Sequence, residues 1–156
     1  MSKSLKRVNS ALEAAGVKVE VREMTEGTRT AEDAARAVGC HVDQIAKSII
    51  FRGEHSGHVV LFLTAGGNQV DPVKATSIAG QPLGKASAEQ IRAETGFAIG
   101  GVAPVGHLSE VTAYFDPKLQ DFTEVWAAAG TPRHVFAIAP DDLLRITGAK
   151  MADFTS

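Results

Sequence analysis

Ile45-Ala46-Lys47-Ser48-Ile49-Ile50-Phe51 and His58-Val59-Val60-Leu61-Phe62-Leu63-Thr64 decide how this chain folds. Both are short apolar runs, and each predicts a strand with at least one face in a core. The charged, glycine-bearing segment Arg52-Gly53-Glu54-His55-Ser56-Gly57 between them predicts a hairpin. Downstream, Glu124-Val125-Trp126-Ala127-Ala128 and His134-Val135-Phe136-Ala137-Ile138 predict a second hairpin, turning across Ala129-Gly130-Thr131-Pro132. Val111 to Asp116 reads as a further strand. Val17, Val19 and Val21, alternating with Lys18, Glu20 and Arg22, read as another.

Helices separate these strands. Leu5, Val8 and Leu12, with Ala11 and Ala15, recur at helical spacing over residues 2–15, and Gly16 stops the pattern. Thr30-Ala31-Glu32-Asp33 resembles a capping box and opens an alanine-rich helix that ends at Gly39. Asp71-Pro72 starts a third helix, with proline at its first position. Ser87-Ala88-Glu89-Gln90 is a capping box for a fourth, ended by Gly96, and Asp141-Asp142-Leu143-Leu144 opens a last one. Strand pairs mix with helices instead of alternating with them. The expectation is therefore an α+β fold, one domain over residues 1–156, built on a mixed sheet.

Composition bounds the function. The 44% hydrophobic and 22% charged fractions are those of an ordinary globular protein. One cysteine, Cys40, leaves no intramolecular disulfide, which fits a reducing compartment. The opening Met1-Ser2-Lys3-Ser4-Leu5-Lys6-Arg7 has no apolar core behind its charges, and no apolar run approaches the roughly 20 residues that span a bilayer. A cytoplasmic location with no membrane contact is the expectation. A net charge of −2 argues against coating DNA or RNA by bulk electrostatics, while leaving room for a local contact with an RNA end.

Two features carry chemistry. Gly96-Phe97-Ala98-Ile99-Gly100-Gly101-Val102-Ala103-Pro104-Val105-Gly106 sets four glycines and a proline among apolar residues, unlike a solvated loop. Such a segment can bring backbone N–H groups up to a ligand; the plainer reading is a tight structural turn. Its spacing matches neither a dinucleotide fingerprint nor a phosphate loop. Amides near Gly100 and Gly101 are placed to clamp a carbonyl if the chemistry is acyl transfer. Lys47 is the second feature, a cation inside an apolar strand. It either serves a site or snorkels from the strand edge to water. Beyond His55 and His58 the five histidines lack metal-ligand spacing, no metal or other cofactor is expected, and no Gly-x-Ser-x-Gly elbow occurs.

Gln44-Ile45-Ala46-Lys47-Ser48-Ile49-Ile50, then Val70-Asp71-Pro72-Val73-Lys74, then the Gly96–Gly106 run resemble, in order and spacing, the YbaK/prolyl-tRNA-synthetase-associated domain family. The resemblance runs from Thr30 to about Leu144. It implies a compact α+β fold on a mixed, barrel-like sheet flanked by helices, and a trans-editing deacylase of mischarged aminoacyl-tRNA. Its substrate would be tRNA(Pro) bearing a small non-cognate amino acid, with transient contact to prolyl-tRNA synthetase. It puts Lys47 and the Gly100–Pro104 loop in the substrate pocket; on that footing Lys47, Gly100 and Gly101 are expected in catalysis, and Ser48, Pro104 and Asp116 in substrate binding. The residues alone also allow a non-catalytic tRNA- or synthetase-binding module, or a hydrolase of small-molecule esters.

Overall fold

The computed structural model describes residues 2–25 and 30–156. Numbering strands and helices along the chain, the deciding hairpin is β2 (Ala46–Gly53) and β3 (Val59–Ala65), antiparallel in one unbroken register from Ala46↔Ala65 to Arg52↔Val59. Every residue of β3 is buried, as its uninterrupted apolar run requires of a central strand. β4 (Leu83–Lys85) pairs antiparallel with the far end of β2, while β5 (Thr112–Phe115) lies parallel to β3 and β8 (Lys150–Met151) parallel to β5. The resulting sheet, ordered β4-β2-β3-β5-β8, is mixed, as expected.

A second, antiparallel sheet has the order β1-β7-β6, from β1 (Val21–Glu23), β6 (Val125–Thr131) and β7 (His134–Ile138). A parallel bridge between Ile45 and Trp126 joins the two sheets. The helices are α1 (Lys3–Ala14), α2 (Ala31–Val38), α3 (Pro72–Ala79), α4 (Ala88–Thr95) and α5 (Pro140–Thr147). Together they make one α+β unit. α1 buries Leu5, Val8 and Leu12 against β6, in a core that also holds Phe97, Phe115 and Phe136. A smaller cluster around Phe62 and Phe154 fills the other face of the larger sheet. No helix among the described residues is long and apolar enough to cross a membrane.

Three local readings are corrected. The first strand begins at Val21 rather than Val17, because the Val17 N–H closes the end of α1 on the Leu12 carbonyl and commits Val17–Glu20 to a connector. The second hairpin turns at Pro132-Arg133: two extra residues, Ala129 and Gly130, bulge within β6 and carry the strand on to Thr131. The Ser87 cap forms only half a box. Ser87 Oγ accepts the Gln90 N–H, but the Gln90 side chain donates to the Gly57 carbonyl and to Glu94. The short β4 and β8 gave too little pattern to be read as strands from sequence.

Candidate functional site

The two sheets part just where β2 begins. β2 leaves β6 at Ile45 and meets β4 only at Phe51, so the edge of its residues 46–50 has no neighbouring strand. The Gly53 N–H donates to the His58 carbonyl, which makes the odd-numbered residues of β2 its hydrogen-bonded partners to β3. Ser48 and Ile50 therefore turn their main-chain groups away from β3, to the open edge. A cavity of about 440 Å³ lies there, within the range of small-ligand sites. Lys47, Ser48, Gly100 and Val102 line it together, with Trp126 and Glu32 completing its wall.

Lys47 donates from Nζ to the Gly66 carbonyl oxygen at 3.1 Å, and no carboxylate among the described residues pairs with it. It is half-buried, held in place, and keeps donors to spare. Ser48 Oγ donates to the Val102 carbonyl at 2.9 Å and so fastens the glycine-rich loop to the strand. The loop needs this. Between Gly96 and Gly106 it makes one backbone hydrogen bond of its own among the described residues, from the Gly101 N–H to the Ala98 carbonyl.

Other clamps come from α1. Arg7 donates from Nη2 to the Gly96 carbonyl at 2.7 Å and from Nε to the Gly106 carbonyl at 3.2 Å. Its guanidinium also stands 4.8 Å over the Phe97 ring. His107 Nε2–H donates to the Ala103 carbonyl at 2.7 Å. Burial lowers the His107 pKa from the ordinary histidine value; its hydrogen bond to Ala103 opposes that shift and the Arg7 charge adds to it.

The expected pair of glycines divides by role. Gly101 is buried, and a Cβ there would stand 2.8 Å from the Thr131 carbonyl carbon and 3.0 Å from Pro132 N, so close backbone packing demands glycine. Its N–H is already used within the loop. Gly100, with φ +91°, is exposed on the cavity wall, and its N–H, like that of Val102, donates to no group among the described residues. Of the loop residues, Gly100 and Val102 line the cavity with N–H groups that have no acceptor among the described residues, whereas Gly101 of the expected pair does not line it.

Pro104 is buried behind the loop and does not line the cavity. Asp116 is away from it as well. That carboxylate is almost fully buried, accepting from the Ala65 N–H, the Asn68 side-chain amide and the Lys118 N–H, where it caps a short 3₁₀ turn. In this structure the carboxylate ties the end of β3 to the segment that follows β5. Likewise Asp71 caps α3, and Lys74 reaches Asp153 and the Thr155 carbonyl. Cys40, its pKa raised by burial and then by the Glu124 charge, donates from Sγ to the His41 carbonyl.

Sequence reading missed two cavity residues. Glu32 sits in the first turn of α2, exposed on the rim, without an ion-pair partner among the described residues. Trp126 was read only as strand; its signal is a lone tryptophan followed by alanines.

Comparison with known proteins places this geometry. The aminoacyl-tRNA editing domain family matches residues 25–146. A solved structure described as "Crystal structure of a putative trans-editing enzyme for prolyl tRNA synthetase" superposes with a TM-score of 0.93 at 49% identity, covering 100% of this chain and 99% of the other. The uncharacterized protein YwhH of Bacillus subtilis is 31% identical over 132 residues, 85% of this chain and 83% of YwhH. EbsC of Enterococcus faecalis, named "Putative Cys-tRNA(Pro)/Cys-tRNA(Cys) deacylase", is 24% identical over 81% of this chain and 77% of its own. A proline–tRNA ligase of Limosilactobacillus fermentum is 31% identical over 103 residues, which are 64% of this chain and 18% of the ligase. With the matched region spanning most of its length, the chain belongs to the aminoacyl-tRNA editing domain family.

Proposed function

We propose that this chain, acting as one domain, is a trans-editing deacylase that hydrolyses the ester between a small non-cognate amino acid and the terminal ribose of tRNA, with tRNA(Pro) as the carrier. The observation that carries the reading is the meeting on one cavity of Lys47 with Gly100 and Val102, whose N–H groups have no acceptor among the described residues. An aminoacyl ester is already activated, so the protein must chiefly position it and stabilise the charge that develops on its carbonyl oxygen. Water adds to the carbonyl carbon, and the tetrahedral oxyanion is held by the Gly100 and Val102 N–H groups. The bond from carbon to the ribose oxygen then breaks, and that oxygen takes up the proton that water gives, relayed by the neighbouring ribose hydroxyl.

Lys47, steadied by Gly66, offers its remaining donors to the terminal phosphate or ribose as a point charge. Ser48 holds the loop in register by its bond to Val102. Glu32 at the rim supplies a carboxylate for the α-ammonium of the amino acid. Likeness to a segment of a proline–tRNA ligase supports the tRNA(Pro) assignment and a transient contact with that synthetase. The test is a deacylation panel: tRNA(Pro) charged in turn with alanine, serine, cysteine, threonine and proline. Faster hydrolysis of one or more non-cognate esters than of prolyl-tRNA(Pro) is expected. If none is hydrolysed above the uncatalysed rate, the deacylase reading falls and a binding module of the same fold replaces it.

A further inference from the structure

The cavity has a second half that the chemistry above does not use. Parallel pairing of Ile45 with Trp126 puts both side chains on one face, and Lys47, two residues on, shares that face about 7 Å along the strand. On the smaller sheet, Arg22 pairs with Val135 and Val135 with Ala128, and Ala128 is two residues from Trp126. Arg22, Val135, Ala128 and Trp126 therefore face the same way, and the last three line the cavity. Over the low floor made by Ala128 and Val135, the Arg22 guanidinium reaches the Trp126 ring, 5.4 Å from its centroid.

Two properties of this pair stand out from ordinary surface packing. Trp126 stacks on no other aromatic ring among the described residues, so its only ring partner is the cation. Arg22 is exposed and in no ion pair among the described residues, and the neighbouring Glu23 faces His134. A guanidinium stacked on an arene keeps its in-plane N–H donors free for a bidentate partner. An arene beside such a fork offers what a nucleotide needs: a flat surface for the base and two parallel donors for a phosphate.

We propose that Arg22 and Trp126 form a nucleotide subsite at the mouth of the cavity, taking the base and phosphate of the 3′-terminal nucleotide while Lys47 meets its ribose and the loop amides hold the ester it carries. This rests on the deacylase reading for its substrate, but its binding test does not need hydrolysis. Trp126 is the one tryptophan of the chain, so its emission reports directly on the subsite.

The experiment titrates the whole protein with a CCA trinucleotide, AMP, ATP and adenosine, following tryptophan fluorescence. CCA and AMP should quench it saturably. Arg22→Gln should weaken both about tenfold, as expected for losing a charged hydrogen-bonded contact, and leave the weaker binding of adenosine unmoved. Arg22→Gln should also raise KM for mischarged tRNA by a similar factor at unchanged kcat and unchanged thermal midpoint. Absence of saturable quenching overturns the proposal, as does equal weakening of AMP and adenosine. Tighter binding of AMP or ATP than of CCA, without displacement by uncharged tRNA, overturns it in favour of a free mononucleotide. Deacylation without quenching breaks this inference alone; quenching by CCA without deacylation keeps the subsite and breaks the hydrolase reading.

Discussion

The cavity's two walls are made by opposite means. β2 is held by a continuous ladder to β3, so Lys47 and Ser48 inherit positions that the backbone sets on its own. The glycine-rich loop has almost no ladder and is shaped by side chains from elsewhere: Arg7, Ser48, His107 and the Thr131-Pro132 turn against Gly101. A wall built by a ladder tolerates loss of one side chain with its geometry intact. A wall built by clamps does not, and mutations in the two walls should separate activity from stability.

The sharpest separation is expected at Lys47. Lys47→Ala should lower kcat/KM for mischarged tRNA by about a hundredfold, the upper scale of losing a charged hydrogen-bonded contact to the substrate. Its thermal midpoint should stay close to that of the parent, since the strand ladder is untouched. Wild-type deacylation by Lys47→Ala would leave the strand wall without a chemical role. Gly101→Ala should do the reverse, costing about 2–3 kcal/mol in denaturant unfolding because the added methyl meets backbone that cannot move aside. Arg7→Ala comes next, at about 2 kcal/mol for the lost charged hydrogen bonds to Gly96 and Gly106, with activity falling through loop disorder. An Arg7→Ala protein of parent stability would show that the loop holds itself.

Ser48→Ala should cost about 1 kcal/mol and weaken hydrolysis by way of the Val102 amide. The smallest effect concerns pH. His107 is held neutral in the folded state by burial, so its folded pKa lies below its unfolded one. Above the ordinary histidine range neither state binds the proton and the protein has its full stability. As pH falls through that range the unfolded state takes up the proton first, and stability declines until the folded pKa is passed. His107→Phe should flatten that acid slope in a series of unfolding curves. An unchanged slope would remove His107 as its source.

Legibility followed the same division. The hairpin of β2 and β3 and the helix starts at Thr30 and Asp71 were readable because periodicity and capping are local properties, whereas Lys47 was placed in a pocket only by the family resemblance. Gly101 and Gly100 could not be told apart, since the difference is an approach of Thr131-Pro132 some thirty residues later. Asp116 ended an apolar strand, and its bonds to Ala65 and Asn68 on the neighbouring segment lie beyond what local pattern can show. Trp126 and Arg22 were invisible as a pair because sheet pairing across more than a hundred residues brings them together.

The clamps on the loop also bear on the order in which this protein becomes competent. Arg7 meets Gly106 across a sequence separation of 99 residues, and Gly101 packs against the turn that joins β6 to β7. Contacts so distant in the chain close late, after the local hairpin that carries Lys47. During synthesis the strand wall can therefore form while the loop wall waits for β6 and β7 to emerge, and the cavity is assembled only when nearly the whole domain has been made.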